Sequence, residues 1–309
     1  MAGGVGAARL LRGLVEVVPQ TGVTAVVNTG DDIVVHGLHV SPDLDTVTYT
    51  LAGAAAPERG WGLDGETWAV MDALSRYEPG GAVTWFRLGD RDLATHLYRT
   101  HRLARGAPLS QVTAEIAAAW GVGVRLLPMT DDRVETRMTV PGEGEIGFQD
   151  YFVGRRHAVA VEAVRFAGAG AARPAPGVLD AIGEAGVVVI CPSNPIVSIG
   201  PVLAVPGIAD AVARRRDATV AVSPLVAGAT LKGPADRLMR ELGHEPSVVG
   251  VARLYAPYAA TLVIDEADAA LAAGVEEAGM ACLVTATVMH GVAGAAALAE
   301  AVVGAVAAA

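Results

Sequence analysis

The chain has 309 residues, of which 52% are hydrophobic, and this is enough for one large domain or two small ones with a substantial core. Its 23 basic and 33 acidic residues give a net charge of −10 without a dense basic run, which argues against nonspecific nucleic-acid binding and favours a small-molecule partner. Two cysteines, Cys191 and Cys282, are too few for a disulfide framework, and their apolar neighbours indicate buried thiols in a reducing, cytoplasmic location.

The first element is a glycine-rich loop that leads into an amphipathic helix. Gly3, Gly4 and Gly6 would let backbone N–H groups approach a phosphate, and the helix dipole would favour its negative charge. The loop is neither a full dinucleotide fingerprint nor a Walker loop, so a tight turn packed on a sheet is an equal alternative. A strand normally precedes such a loop, but only Met1 and Ala2 stand here. We expect that a late start-codon assignment removed the first strand; the alternative is that the chain lacks a central strand.

Short apolar runs separated by helical patterns follow along the chain. These runs, typical of buried strands, are residues 24–27, 187–191, 219–222, 262–264 and 282–285. The alternation predicts an α/β fold, a Rossmann-like parallel sheet with helices on both faces, whose ligands bind beyond the carboxyl ends of the strands. Residues 80–150 break the alternation and are predicted to form an inserted, mostly helical subdomain. The Rossmann-like nucleotide-binding core then comprises residues 1–79 and 151–309.

Four aspartates crowd into loops directly after the first apolar run: Asp31, Asp32, Asp43 and Asp45. Like charges repel, so a folded protein that gathers them usually supplies a metal ion or arginines. Asp43 and Asp45 are two residues apart and could share one divalent cation with a diphosphate, which we favour over a purely helix-capping role. For Asp31 or Asp32, a turn-forming role is the simpler interpretation.

The segment WFRLGDRDLATHLYRT, residues 85–100, reads as a turn followed by a helix. Arg87 and Arg91 are predicted to meet an anionic or aromatic ligand, because a guanidinium both stacks and donates paired hydrogen bonds. Asp92 fits a surface salt bridge. His96 and His101 do not share a helix face, so the sequence does not favour a metal site there.

Polar residues follow the apolar run that ends at Cys191. Ser193 and Asn194 would stand at the ligand edge of the sheet, followed by backbone donors suited to a phosphate or a base, although an ordinary turn is the alternative. No GxSxG elbow surrounds the serine, which argues against a hydrolase nucleophile. No secretory signal is visible, and the alanine-rich stretch 281–309 fits a buried strand and terminal helix better than a membrane span.

Nine ordered blocks across nearly the whole chain resemble the 2-phospho-L-lactate transferase family of coenzyme F-420 biosynthesis. They are GGVGAARLLRG, NTGDD, SPDLDTVTYTLAG, RGWGLDGETW, LGDRDLATHL, LLPMTDDRVETRM, FQDYFVGRR, PSNPIVSIGPVLAVPG and VAVSPLVAG. The resemblance implies transfer of a phosphoenolpyruvyl or phospholactyl group from a guanosine diphosphate-linked donor to the ribityl hydroxyl of the deazaflavin Fo, with release of GMP. It also implies Mg2+ and a Rossmann-type homodimer.

The resemblance also implies roles for individual residues. Asp45 and Arg87 match positions that contact Fo, and Asp43 and Asp45 are the metal candidates. The segments that line the guanosine diphosphate site are matched by Gly3, Gly4, Gly6, Ser193 and Asn194. Within this scheme Asp31 and Asp32 shape the turn or bind the metal through water.

Attack of an alcohol on a diphosphate phosphorus requires mainly positioning and charge neutralisation, and no covalent nucleophile. An aspartate near the metal is the simplest acceptor for the proton of the alcohol, and Asp45 is predicted to fill this catalytic role. Replacing Asp45 by Asn is expected to abolish transfer while the fold stays intact.

Two other functions compete with this interpretation. The related gluconeogenesis-factor-like group would make the protein a nucleotide-sugar-binding regulator, and a nicotinamide-dependent oxidoreductase would need a fuller glycine fingerprint. The sequence leaves the donor open as well. Arginine replaces lysine almost everywhere and alanine and glycine abound, which suggests a GC-rich actinobacterial source and hence, from the resemblance, the enolpyruvyl donor.

Overall fold

A computed structural model describes residues 1–77, 84–230 and 233–307, along which helices and strands alternate as predicted. The helices are α1 (Gly4–Val17), α2 (Pro42–Leu51), α3 (Ala69–Leu74), α4 (Asp92–Ala104), α5 (Leu109–Ala119), α6 (Val178–Glu184), α7 (Gly200–Ala204), α8 (Ile208–Arg214), α9 (Ala235–Glu241), α10 (Val248–Tyr255), α11 (Ala272–Glu277) and α12 (Gly291–Ala307). The strands are β1 (Thr24–Val27), β2 (Ile33–Val35), β3 (Leu38–Val40), β4 (Arg125–Pro128), β5 (Glu135–Val140), β6 (Gly144–Gly147), β7 (Ala163–Ala167), β8 (Val188–Ile190), β9 (Thr219–Val222), β10 (Leu225–Val226), β11 (Ala229–Thr230), β12 (Thr261–Ile264) and β13 (Ala281–Val284).

One parallel sheet forms the centre of the fold. β8, β9, β12 and β13 pair in that order, and β1 pairs with β4. Met1 and Ala2 join the two groups: the Ala2 amide donates to the Val26 carbonyl at 2.9 Å, and the Cys191 amide donates to the Met1 carbonyl at 3.1 Å. The order across the sheet is therefore β4, β1, Met1–Ala2, β8, β9, β12, β13, which is the doubly wound Rossmann order. The predicted fold class is confirmed, and two residues hold the central position of the sheet.

Helices cover both faces of this sheet. Alternate side chains of one strand enter different cores: in β12, Leu262 and Ile264 enter the first and Val263 the second. Helices α6, α7, α8, α10 and α11 complete the first core, and α1, α2, α5 and α12 complete the second. Because both faces are buried, the strands read in the sequence as continuous apolar runs.

The alanine-rich helix α12 packs against α1. Gly13 lies so close to Ala295 that an added Cβ would overlap the Ala295 backbone, and Leu298 is 1% exposed. Among the described residues, no single helix is both long and apolar enough to cross a membrane. The segments Pro195–Ala204 and Ile208–Arg214 are long and apolar enough only when taken together, and the chain bends by 98° between them.

The range predicted as an inserted subdomain, residues 80–150, contributes to two different sheets. β5 pairs antiparallel with β6 and β7, and the turn between β5 and β6 contains Gly142, whose φ is 75°. β4 lies in the same range but pairs with β1, so it belongs to the central sheet. The predicted boundary at residues 79 and 80 lies outside the described residues, and the division into core and insert stays a prediction.

Candidate active site

A cleft of about 830 Å³ opens at the carboxyl ends of the parallel strands, the edge where ligands of such sheets bind. Its lining includes the glycine loop after Ala2, the segment after β8, Ser223 after β9 and Thr287 after β13. The predicted site residues that line it are Gly3, Gly4, Gly6, Asp43, Asp45, Arg87, Ser193 and Asn194. The structure thus gathers every predicted site residue except Arg91 around one cavity.

The glycine loop presents the N-terminus of α1 to this cleft. Gly4 has φ 72°, a conformation that favours glycine, and its amide donates to Asp43 Oδ1 at 2.9 Å. An added Cβ at Gly6 would overlap the Pro192 carbonyl oxygen, so the loop and the segment after β8 are in close contact. The positive end of the helix dipole therefore meets a carboxylate here.

The side chains of Ser193 and Asn194 both form hydrogen bonds with backbone groups. The Ser193 hydroxyl donates to the Gly3 carbonyl at 2.8 Å, and Asn194 Oδ1 accepts from the amides of Ile196 and Val197 at 2.9 and 3.3 Å. These bonds fix the shape of the cleft floor. Direct contact of either side chain with a nucleotide stays a prediction.

Asn28 connects two buried carboxylates at the cleft. Its Nδ2 donates to Asp31 Oδ2 and to Asp43 Oδ2, both at 3.0 Å, while Asp31 Oδ1 is buried and makes no hydrogen bond within the described part of the chain. Burial, opposed by the hydrogen bonds from Asn28 and Gly4, raises the pKa of Asp43 to about 6. Burial and then repulsion by Asp43 raise the pKa of Asp31 well above its usual value. No basic side chain among the described residues pairs with either carboxylate, which is the condition that a bound cation would relieve.

Asp45 has a counter-charge of its own, Arg99. The Arg99 guanidinium binds both carboxylate oxygens, through Nη2 to Oδ1 and through Nη1 to Oδ2 at 3.1 Å. Arg99 is 2% exposed and Asp45 4%, so the ion pair is shielded from water. The predicted sharing of a cation by Asp43 and Asp45 would add a second positive charge to a carboxylate that Arg99 already neutralises, and it stays a prediction.

Three further polar side chains from α2 and α4 form a cluster with Asp45: Tyr49, Asp92 and His96. His96 Nδ1 lies 3.7 Å from Asp45 Oδ2, and His96 Nε2 lies 3.2 Å from Asp92 Oδ2. The Tyr49 hydroxyl donates to Asp92 Oδ1 at 2.6 Å. Burial opposes ionisation of Asp92, but His96, the Tyr49 hydrogen bond and the charge of Arg99 together outweigh it, so the pKa of Asp92 is lowered. Asp92, expected in a surface salt bridge, is instead a partly buried member of this cluster: its side chain is 15% exposed and lines the cleft.

Arg87 and Arg91 separate in the structure. Arg87 lines the cleft, and its guanidinium lies 4.8 Å from the ring centroid of Trp68 and 3.5 Å from Asp72. The Arg91 guanidinium donates to the Asp64 carbonyl and does not line the cleft. The arrangement supports a substrate contact for Arg87 and gives none to Arg91.

Sequence reasoning missed Arg99 and gave no role to His96. One signal was present: residues 92, 96 and 99 have spacings of four and three, so Asp92, His96 and Arg99 share one face of α4. A charged residue on a helix face is ordinarily solvent-exposed. Arg99 is buried because it pairs with Asp45, which lies 54 residues away in the sequence. Gln149 donates to the Asp31 carbonyl at 3.1 Å, although 118 residues separate the two in the sequence. No pattern near Gln149 in the sequence indicated this contact.

Comparison with known proteins gives one consistent family. The family described as "2-phospho-L-lactate transferase CofD" matches residues 1–285. The chain is 49% identical over 286 residues to a phosphoenolpyruvate transferase of Streptomyces griseus, which covers 91% of this chain and 89% of that protein. A protein of the same name from Mycolicibacterium smegmatis is 41% identical over 304 residues and covers 92% of each chain.

A solved structure shows the same fold. It is a member of the UPF0052 family from Bacillus halodurans, with a TM-score of 0.61 over 97% of this chain and 96% of that one. The sequence identity is 17%, so this likeness concerns the fold alone.

Proposed function

Because the chain belongs to the 2-phospho-L-lactate transferase CofD family, we propose that it transfers a phosphoenolpyruvyl group from a guanosine diphosphate-linked donor to the ribityl hydroxyl of the deazaflavin Fo. The oxygen of the hydroxyl attacks the phosphorus that carries the enolpyruvyl group, the bond from this phosphorus to GMP breaks, and the hydroxyl loses its proton. The names of the relatives support a transferase of the phosphoenolpyruvyl or phospholactyl type. The homodimer implied by the family resemblance stays a prediction.

One observation carries this proposal: a single cleft combines a helix N-terminus, a buried carboxylate pair and an arginine. The α1 terminus and its glycine loop suit the diphosphate of the donor. Arg87 at the mouth suits the acceptor, because a guanidinium can stack on a ring and donate hydrogen bonds. Phosphoryl-type transfer requires this combination of positioning and charge neutralisation and no covalent nucleophile.

We assign Asp45 to the acceptor hydroxyl. A carboxylate offers about four lone-pair sites, so Asp45 can accept from a hydroxyl in the cleft while both of its oxygens remain bound to Arg99. The pairing with Arg99 fixes the direction of the carboxylate, and His96 lies next to it. In this proposal Asp45 orients the hydroxyl for attack and receives its proton.

Mg2+ fits the carboxylate pair of Asp31 and Asp43. Carboxylate oxygens are the ligands this ion prefers, and Asp31 Oδ1 makes no hydrogen bond to a described residue. A cation would offset the burial that raises the pKa of both groups and the repulsion by Asp43 that raises the pKa of Asp31 further. A bound Mg2+ would neutralise charge on the diphosphate. The proposal therefore places the ion on Asp43, as the sequence predicted, and on Asp31 in preference to Asp45.

The donor can be identified from the product. Purified protein is incubated with Mg2+, Fo and each donor in turn, and the mass of the Fo product is measured. We expect faster turnover with the enolpyruvyl donor and a product two hydrogens lighter than the phospholactyl compound. Preferred use of the phospholactyl donor would contradict the donor assignment and leave the transferase assignment standing.

A further inference from the structure

Two tryptophans at the cleft have no role in the reaction as described. Trp61 and Trp85 both line the cleft, yet they are 46% and 36% exposed. Large aromatic side chains that remain exposed at a cavity are common at binding sites, because a ligand can cover their apolar faces. We call these two residues the tryptophan rim.

The rim is held in place by its neighbours. The Arg59 guanidinium lies 5.5 Å from the ring centroid of Trp61. The Trp85 ring meets Phe86 edge to face, with centroids 5.5 Å apart, and an added Cβ at Gly154 would lie 3.4 Å from Trp85 Cε3. Fixed rings lose little conformational entropy when a ligand stacks on them, so the rim is suited to binding.

The position of the rim separates it from the donor side of the cleft. Trp61 lies in the loop that follows α2, and Trp85 lies in the segment that leads into α4, two residues before Arg87. These two helices carry Asp45 and Arg99, whereas the glycine loop and the segments after β8, β9 and β13 form the other side. A ligand on the rim would thus reach toward the acceptor aspartate.

We propose that the tryptophan rim binds the flat, fused-ring part of the acceptor by stacking, an inference that rests on the proposed function. A polycyclic ring presents an extended π surface to indole, and Arg87 next to the rim adds a cation that can stack on the same ring system. The rim then determines acceptor specificity, while the glycine-loop side holds the nucleotide.

Fluorescence titration of Fo and separate titration of GDP test the proposal on the full-length protein. Trp61→Leu and Trp85→Leu are each expected to raise the Kd for Fo about 2- to 10-fold, the range of one aromatic contact, and to leave the Kd for GDP unchanged. Trp61→Phe and Trp85→Phe should restore most of the Fo affinity. Tyr77→Leu is the matched control, because Tyr77 is 85% exposed and does not line the cleft.

The outcomes separate this inference from the proposed function. Unchanged Fo affinity in both leucine variants, or a parallel loss of GDP affinity, would overturn the rim and leave the transferase standing. Wild-type protein that is not saturated by Fo would overturn the rim and the proposed acceptor together.

Discussion

An Asp43→Asn variant is expected to lose transfer activity and yet to be more stable than the wild type at neutral pH. The pKa of Asp43 is raised from 3.8 to about 6, mainly by burial. The folded protein therefore binds this proton more tightly than the unfolded chain, and the free energy of unfolding falls as the pH rises through that interval. Ionised Asp43 costs the fold about 3 kcal/mol at pH 7. Losing the Asn28 hydrogen bond offsets roughly 1 kcal/mol of the gain.

Chemical denaturation at pH 7 and at pH 4 measures this effect without Mg2+. The variant should be about 2 kcal/mol more stable at pH 7, with little or no advantage at pH 4, where Asp43 is largely protonated in the folded protein. Its kcat should fall roughly 100- to 1000-fold, because the variant would bind less tightly the Mg2+ that would neutralise transition-state charge. Asp217→Asn is the control, since the Asp217 side chain is 99% exposed. A less stable Asp43→Asn variant, or a fully active one, would refute the assignment.

Replacing Asp45 by Asn is expected to abolish transfer and also to destabilise the protein, which revises the expectation of an intact fold. The substitution leaves the Arg99 guanidinium buried without its main counter-charge. Breaking one half of a buried ion pair typically costs 3–5 kcal/mol.

A double-mutant cycle separates the two consequences. Asp45→Asn and Arg99→Met should each lower the free energy of unfolding by about 3 kcal/mol, whereas the double variant should recover at least half of the summed loss. Asp45→Asn and the double variant should both lack transfer activity, because neither has the acceptor carboxylate. Additive losses of stability would show that the ion pair does not couple the residues, and an active double variant would remove Asp45 from the reaction.

Strands of the central sheet could be predicted where both of their faces are buried, because such strands appear in the sequence as apolar runs. Residues 219–222 were predicted as a strand and form β9 with the same bounds, because a strand covered on both faces has no polar positions. β4 escaped prediction because its two leucines stand between Arg125 and Pro128, too short an apolar run to signal a strand. Met1 and Ala2 carry no strand pattern either, and only their long-range partners place them in the sheet.

Site residues could be predicted where they directly follow a strand of the parallel sheet. Ser193 and the glycine loop follow strands of the parallel sheet, and the edge rule for such sheets brought them together, whereas Asp43 follows β3, which pairs antiparallel with β2. The partners of the aspartates could not be assigned in the same way. Arg99 reaches Asp45 from another helix. Asn28 binds Asp31 and Asp43 together, and this makes Asp31, and not Asp45, the partner of Asp43. That contact depends on side-chain directions within a loop, which the sequence does not show.

The most direct test of the central claim is the release of GMP, measured with purified protein, Mg2+, an enolpyruvyl-linked guanosine diphosphate donor and increasing amounts of Fo. If the cleft is one transferase site, GMP forms only when Fo is present, and one GMP appears for each Fo converted to its phosphodiester. GMP release that does not depend on Fo, or Fo binding without any GMP release, would contradict it.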